Sequence, residues 1–301
     1  MFTMSHKLSF LIITTLLTSL IGNTAALSSV SSLLTTHSDR IASMKQLANK
    51  YPNAPQDDVF YLRYCLSENK DDDTIMSELK SALDWRSNQG KSICDSAREA
   101  VQQATAKDGA WNNEPVRALA PHANIVNKYI TPNQCLTTTL HSGDLVYCIS
   151  AGRIDDVKLM REISVEDIVD FFLYTKEVNA IVSNMRSLQS DRLIKVLTAN
   201  DLSGVKLIGG DATFRKAIGL ASTKANQLYP NLNGPTFLLN LPKLVSALVK
   251  LFTPLFPEEV NRRLKFAQGP LKNVDDLMTI GPSGDVQKRK QFLSEIDALL
   301  H

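Results

Sequence analysis

The 301-residue sequence predicts an α/β protein built on a mainly parallel sheet covered by helices. Three observations carry that expectation. β-rich runs at 142–150, 192–199 and 236–242 are separated by stretches of helical periodicity, the arrangement of strands joined by helical crossovers. The longest helical stretch opens with Ser164-Val-Glu-Asp167, a capping box. Gly234-Pro235 and Pro242 fence the apolar run between them, as they would a short buried strand.

At the N-terminus, Lys7 precedes an apolar run from Leu8 to Ile21 that ends in Gly22-Asn-Thr-Ala-Ala26. Residues 1–26 therefore read as a secretory signal peptide, with Thr24 and Ala26 at the −3 and −1 positions of the cut. The run is 14 residues long, short of the ~20 that span a bilayer. Residues 27–40 are rich in hydroxyls and carry no acid before Asp39, so they read as either a transit-like segment or a linker. A signal peptide followed by a transit-like segment resembles the bipartite presequence of secondary plastids. The expected destination is thus the secretory pathway, lumenal or secreted, or a plastid if the presequence is bipartite. A cytoplasmic location is the alternative.

Residues 41–110 read as a helical lobe. Ile75, Leu79, Leu83 and Trp85 form a helical stripe after the polar turn Asn69–Asp73. Asp71, Asp72 and Asp73 are adjacent and cannot all face one cation, so a helix N-cap is their expected role. Residues 111–136, with Pro115, Pro121 and Pro132, read as an irregular connector with at most a short helix. The larger domain is expected over 137–282. Its long helix presents Ile168, Phe171, Phe172, Thr175, Val178, Ile181, Val182 and Met185, and a second helix spans Phe214 to Leu228. From Lys243 to Thr253, Leu244, Val245, Leu248, Val249, Leu251 and Phe252 share one helical arc opposite Lys243, Ser246, Lys250 and Thr253. Pro254 ends or kinks that helix, and a short one follows over Glu258 to Arg263. A C-terminal helix within 283–301 gathers Phe292, Leu293, Ile296 and Leu299 on one face, with Lys288-Arg-Lys290 on a solvated one.

Composition narrows the function. Hydrophobic residues at 44% and charged ones at 21% describe a soluble globular chain, and a net charge of +2 gives no case for nucleic acid. Cys65, Cys94, Cys135 and Cys148 include no CxxC pair, so zinc is not indicated. In an oxidising compartment any of three disulfide pairings is open. No strand is followed by a G-x-S-x-G elbow, a P-loop or G-x-G-x-x-G. Asp201 ends a parallel strand, where α/β sites gather, but an Asp before Leu-Ser-Gly also makes a turn. The chain is read as a non-enzyme.

Several motifs together resemble the CRAL-TRIO lipid-binding domain family. They are Phe60-Tyr-Leu-Arg-Tyr-Cys-Leu66, Leu83-Asp-Trp-Arg86, the strand around Val146-Tyr147, Gly152-Arg-Ile-Asp155 and Asp201-Leu-Ser-Gly204. Tyr229-Pro230, Asn240-Leu-Pro242, Phe252-Thr-Pro254 and Lys265-Phe266 continue the pattern in the family's order. The resemblance implies a small helical lobe before the sheet and an amphipathic gate helix over an apolar cavity. It also implies lipid binding and transfer without a cofactor. Tyr147 and Thr198 match headgroup contacts of the family, where Val196 replaces a Ser. Leu239, Leu244, Leu248, Leu251, Phe252, Leu255 and Phe256 are the implied apolar lining, and Arg263 the surviving charge after the gate. Asn231 stands where inositide-binding members carry Glu, and Val260 where they carry Thr, so phosphatidylcholine or a less polar lipid is expected over phosphatidylinositol. The closing Pro-x-x-Phe-Gly-Gly segment appears only as Gly281-Pro-Ser-Gly284. The implied ligand is a phospholipid, or an isoprenoid or carotenoid-type lipid, held by a monomer that touches membranes transiently. A protein-docking scaffold on the same fold is the alternative.

Overall fold

Capping side chains set most of the helix starts. The computed structural model describes residues 29–67, 70–105, 113–205, 210–242, 263–272 and 274–300. In chain order its elements are α1 (Val30–Thr36), α2 (Ser38–Ala48), α3 (Asp58–Cys65), α4 (Asp72–Ser87), α5 (Lys91–Thr105), α6 (Asn113–Ala118) and α7 (Ala123–Tyr129). There follow β1 (Cys135–Thr139), β2 (Leu145–Ser150), α8 (Asp156–Glu162), α9 (Val165–Ser190), β3 (Val196–Asp201) and α10 (Ala212–Leu228). The chain closes with β4 (Asn233–Leu239), β5 (Leu264–Ala267) and α11 (Val286–Ala298). Asp57 caps α3, Asp71 caps α4 through the Thr74 amide, and Ser164 caps α9 in the expected reciprocal box with Asp167. Asp71 is thus a cap, as the sequence suggests.

The signal-peptide segment lies outside the described residues. The hydroxyl-rich stretch, in contrast, is not a linker from Ser29 onward. It forms α1 and leads into α2, with Val30, Leu33, Ile41 and Met44 buried. The hydroxyls that suggested an unstructured chain bond the helix itself: Ser29 accepts from the Ser32 amide, and Thr35 and Thr36 donate to the Ser31 and Ser32 carbonyls. The start of α1 is pinned to the end of α9. The Val30 amide donates to the Asp191 carbonyl at 3.0 Å, and the Ser31 amide to the Asp191 carboxylate at 2.7 Å. Those bonds from Ser31 hold the Asp191 carboxyl below its ordinary range.

The expected connector is also more regular than its prolines suggest. It holds α6, α7 and the first two residues of β1. Pro115 falls within the first turn of α6, where a missing amide hydrogen costs little.

The sheet runs β1-β2-β3-β4-β5, with β1 antiparallel to β2 and the remaining pairs parallel. The crossovers from β2 to β3 and from β3 to β4 carry α9 and α10, which cover one face of the sheet. There α9 and α10 pack together, Ala217, Ala221 and Ala225 giving α10 a smooth side for close approach. Leu145, Tyr147 and Val196 join the helices in one core. Leu136, Val146, Cys148, Leu197, Ala199, Phe237 and Leu239 point the other way, into a second core closed by Leu277, Ile280 and Phe292, Leu293 and Ile296 of α11. In α11, Lys288 and Lys290 face solvent.

The four cysteines are buried free thiols. Cys135 and Cys148 belong to opposite cores, so the sheet itself separates them. Burial pushes the thiols of Cys65 and Cys135 up to about 11 and that of Cys94 to about 12, so none is a ready nucleophile.

Candidate ligand-binding face

Strand alternation decides which side chains can meet. Tyr147 pairs with Thr198, Thr198 with Thr236, and Thr236 with Leu264. One step on, Ile149, Asn200, Leu238 and Phe266 form the next row on the same face. Residues two apart on a strand share a side, so both rows lie on the helix-covered face with Leu145 and Val196. The result is a short polar line, Tyr147–Thr198–Thr236, beside a row that is apolar except at the buried Asn200. Tyr147 and Leu238 are buried, Thr198 and Thr236 half-buried, and Phe266 is 38% exposed. Burial, then the neighbouring Cys135 thiol, raises the Tyr147 hydroxyl well above its ordinary pKa, so it is a neutral hydrogen-bonding group.

Of the expected site residues, the register brings together Tyr147, Val196 and Thr198. Leu239 is a correction: it pairs with Asp201 and lies in the second core beneath α11, away from them. Phe237, Leu238 and Leu239 are all buried because both faces of β4 are covered, so the sequence carries no alternation from which to tell the sides. Leu244, Leu248, Leu251, Phe252, Leu255 and Phe256, with the gate helix they would form, lie outside the described residues. Arg263 opens the approach to β5, half-buried and near Lys195. Asp201 serves as a turn: its carboxylate accepts from the Ser203 amide and hydroxyl and from Asn240 Nδ2.

The structure adds a group that motif reading missed. At the N-terminal ends of β3 and β4, Arg63, Lys176 and Lys195 converge on the Asn231–Asn233 turn. Arg63 donates to the Asn231 and Ile194 carbonyls and to Asn184 Oδ1, each at 2.8 Å. Lys195 Nζ reaches the same Asn231 carbonyl at 2.7 Å, and Lys176 Nζ reaches Asn233 Oδ1 at 2.8 Å. Asn231 takes a left-handed φ of 55°, which Asn tolerates, and returns a bond from Nδ2 to the Arg63 carbonyl. All these acceptors are neutral. The sequence signal was single cations inside apolar stretches, such as Leu193-Ile-Lys-Val-Leu197.

Crowding of like charge has a measurable consequence at Lys195. Burial first, then Arg63 and Arg263, lower its pKa from 10.5 to about 7. Below about pH 7 both folded and unfolded chains hold this proton, and the cost to folding is fully present. Between there and the unfolded value the unfolded chain alone holds it, so this contribution to stability rises with pH. Urea titrations of wild type and Lys195→Met should therefore show the wild type gaining on the variant between about pH 6 and pH 9. A difference independent of pH would refute the assignment.

No family model matches the sequence, and no curated protein matches it. Among solved structures, the chain is similar to the crystal structure of Sfh5, with 15% identity over 84% of each chain and a TM-score of 0.47.

Proposed function

We propose that this chain binds a lipid against the helix-covered face of its sheet and exchanges it with membranes, without catalysis. The observation that supports the reading most is the placing of Tyr147, Val196 and Thr198 side by side on one face. Tyr147 and Thr198 match headgroup positions of the lipid-binding family that the sequence resembles, with Val196 in place of a Ser, and Tyr147 is far in the chain from the other two. Leu238 and Phe266 extend that face with apolar surface of the kind an acyl chain covers. The gate belongs to the proposal on sequence grounds alone, through the apolar arc containing Leu248 and Phe252. Entry through the secretory pathway, with a signal peptide removed after Ala26, is part of the same reading.

The test is to extract purified protein with organic solvent and identify bound lipid by mass spectrometry, then measure vesicle-to-vesicle transfer. One lipid class is expected, present at near one molecule per chain. Leu248→Asp with Phe252→Asp should abolish transfer, since each carboxylate would have to enter acyl chains unpaired. Lys250→Ala is the control and should weaken only docking to anionic vesicles. Empty protein that also takes up no lipid from vesicles would overturn the proposal and favour a protein-docking scaffold.

A further inference from the structure

Helix α9 carries a line of polar groups along a flank that should be apolar. Lys176, Asn179 and Ser183 are spaced i, i+3 and i+7, within about 60° of arc. Asn179 is 1% exposed and Ser183 is fully buried. Asn179 Nδ2 and Ser183 Oγ nevertheless have no hydrogen-bond partner among the described residues. Buried polar atoms without partners are uncommon and costly, so two on one helix flank, beside a lysine, call for a partner that the described residues do not supply.

Lys176 supplies the charge at the end of that line. Its ammonium has three donors, and the bond to Asn233 Oδ1 uses one. No carboxylate among the described residues forms an ion pair with it. The next residue, Glu177, is committed to Arg86, and the acids beside Arg63 and Lys195 are committed too: Asp144 to Arg192 and the Lys195 amide, and Asp57 to Asn184 and the Phe60 amide. Burial alone lowers the Lys176 pKa from 10.5 to about 8, which a bound anion would reverse. Asn233 is the register partner of Val196, so Lys176 stands where the candidate ligand face begins.

We propose that Lys176, Asn179 and Ser183 receive the acidic head of the bound ligand, a carboxylate carried on a long apolar chain. The inference rests on the lipid-binding reading and names its ligand class. The carboxylate oxygens accept from the ammonium, the Asn179 amide and the Ser183 hydroxyl. The chain then runs along the sheet face past Thr198 toward Leu238 and Phe266. Arg63 and Lys195, one turn of chain away at Asn231, add positive potential without competing for the same acceptor.

The experiment compares oleate, oleyl alcohol and inorganic phosphate as titrants of the delipidated full-length protein by calorimetry. Oleate is expected to bind roughly tenfold more tightly than the alcohol, and phosphate alone weakly or not at all. Lys176→Met should bring oleate down to the level of the alcohol, while Lys176→Arg should keep most of the preference. Equal binding of oleate and alcohol by the wild type overturns the acidic-head assignment and leaves the lipid reading standing. So does a preference that survives Lys176→Met. Displacement of oleate by millimolar phosphate shows a free-oxyanion site and overturns the long-chain assignment. Failure of both oleate and alcohol to bind removes the lipid reading as well. The wild-type comparison needs no variant, so poor folding of Lys176→Met does not weaken it.

Discussion

Glu177→Ala should cost about 3–5 kcal/mol of stability, a large part of the about 5–15 kcal/mol that holds a typical domain folded. Arg86 and Glu177 form a bidentate pair at 2.7 and 2.5 Å, with side chains only 7% and 2% exposed. The guanidinium also lies over the Phe60 ring, 5.1 Å from its centroid. Burial disfavours the Arg86 charge, but the Glu177 carboxylate outweighs it and raises the pKa. Removing the carboxylate leaves a buried cation that cannot shed its proton. The pair joins α4 to α9 over the sheet, so its loss loosens α4 from the helices that cover the sheet. Urea denaturation followed by circular dichroism gives the cost directly. The double variant Arg86→Met with Glu177→Met should recover much of it, because the penalty lies in the orphaned charge. A single variant losing less than about 1 kcal/mol would show that water reaches the pair and that burial there is overstated.

Phe237→Ala should lose about 3–5 kcal/mol by a different route, the cavity left by a fully buried ring. Phe237 pairs with Ala199 and faces α11, on the side of the sheet away from Tyr147 and Thr198. Its loss should lower the denaturation midpoint and, on the proposed lipid-binding reading, leave the lipid-to-protein ratio of the folded variant the same as that of the wild type. Phe237→Ala that folds well but comes out empty would mean that the ligand occupies the second core, and the assignment of faces would be reversed.

Local signals were the most legible part of this sequence. Ser164 and Asp167, or Asp71 and Thr74, are three residues apart, so the chain spells out the cap within one turn. The parallel strands were legible because helices separate them. Strand β1 was harder, since its run Cys135-Leu-Thr-Thr-Thr139 follows three prolines and, among the described residues, pairs with β2 alone. Leu239 lies in the second core, away from Tyr147 and Thr198, and a strand covered on both sides has no polar residue to mark which way it faces. The extra residue in β4 between the partners of Val196 and Thr198 also shifts the count that alternation would use. The basic group around Asn231 was beyond motif reading. Its members come from positions 63, 176, 195 and 231, and only the folded register brings them within hydrogen-bond reach.

The second core has a consequence for synthesis. Its sheet side is made of residues between Leu136 and Leu239, but the surface that covers it, Leu277 to Ile296, is translated after them. At about 5–20 residues per second, the sheet exists for several seconds with Leu136, Val146, Leu197 and Phe237 uncovered. The helix-covered face has no such interval, because α9 and α10 emerge between the strands they cover. A ribosome that stalls or stops before α11 therefore releases a chain that is sticky on one side only. Packing of α11 onto that side is what buries it.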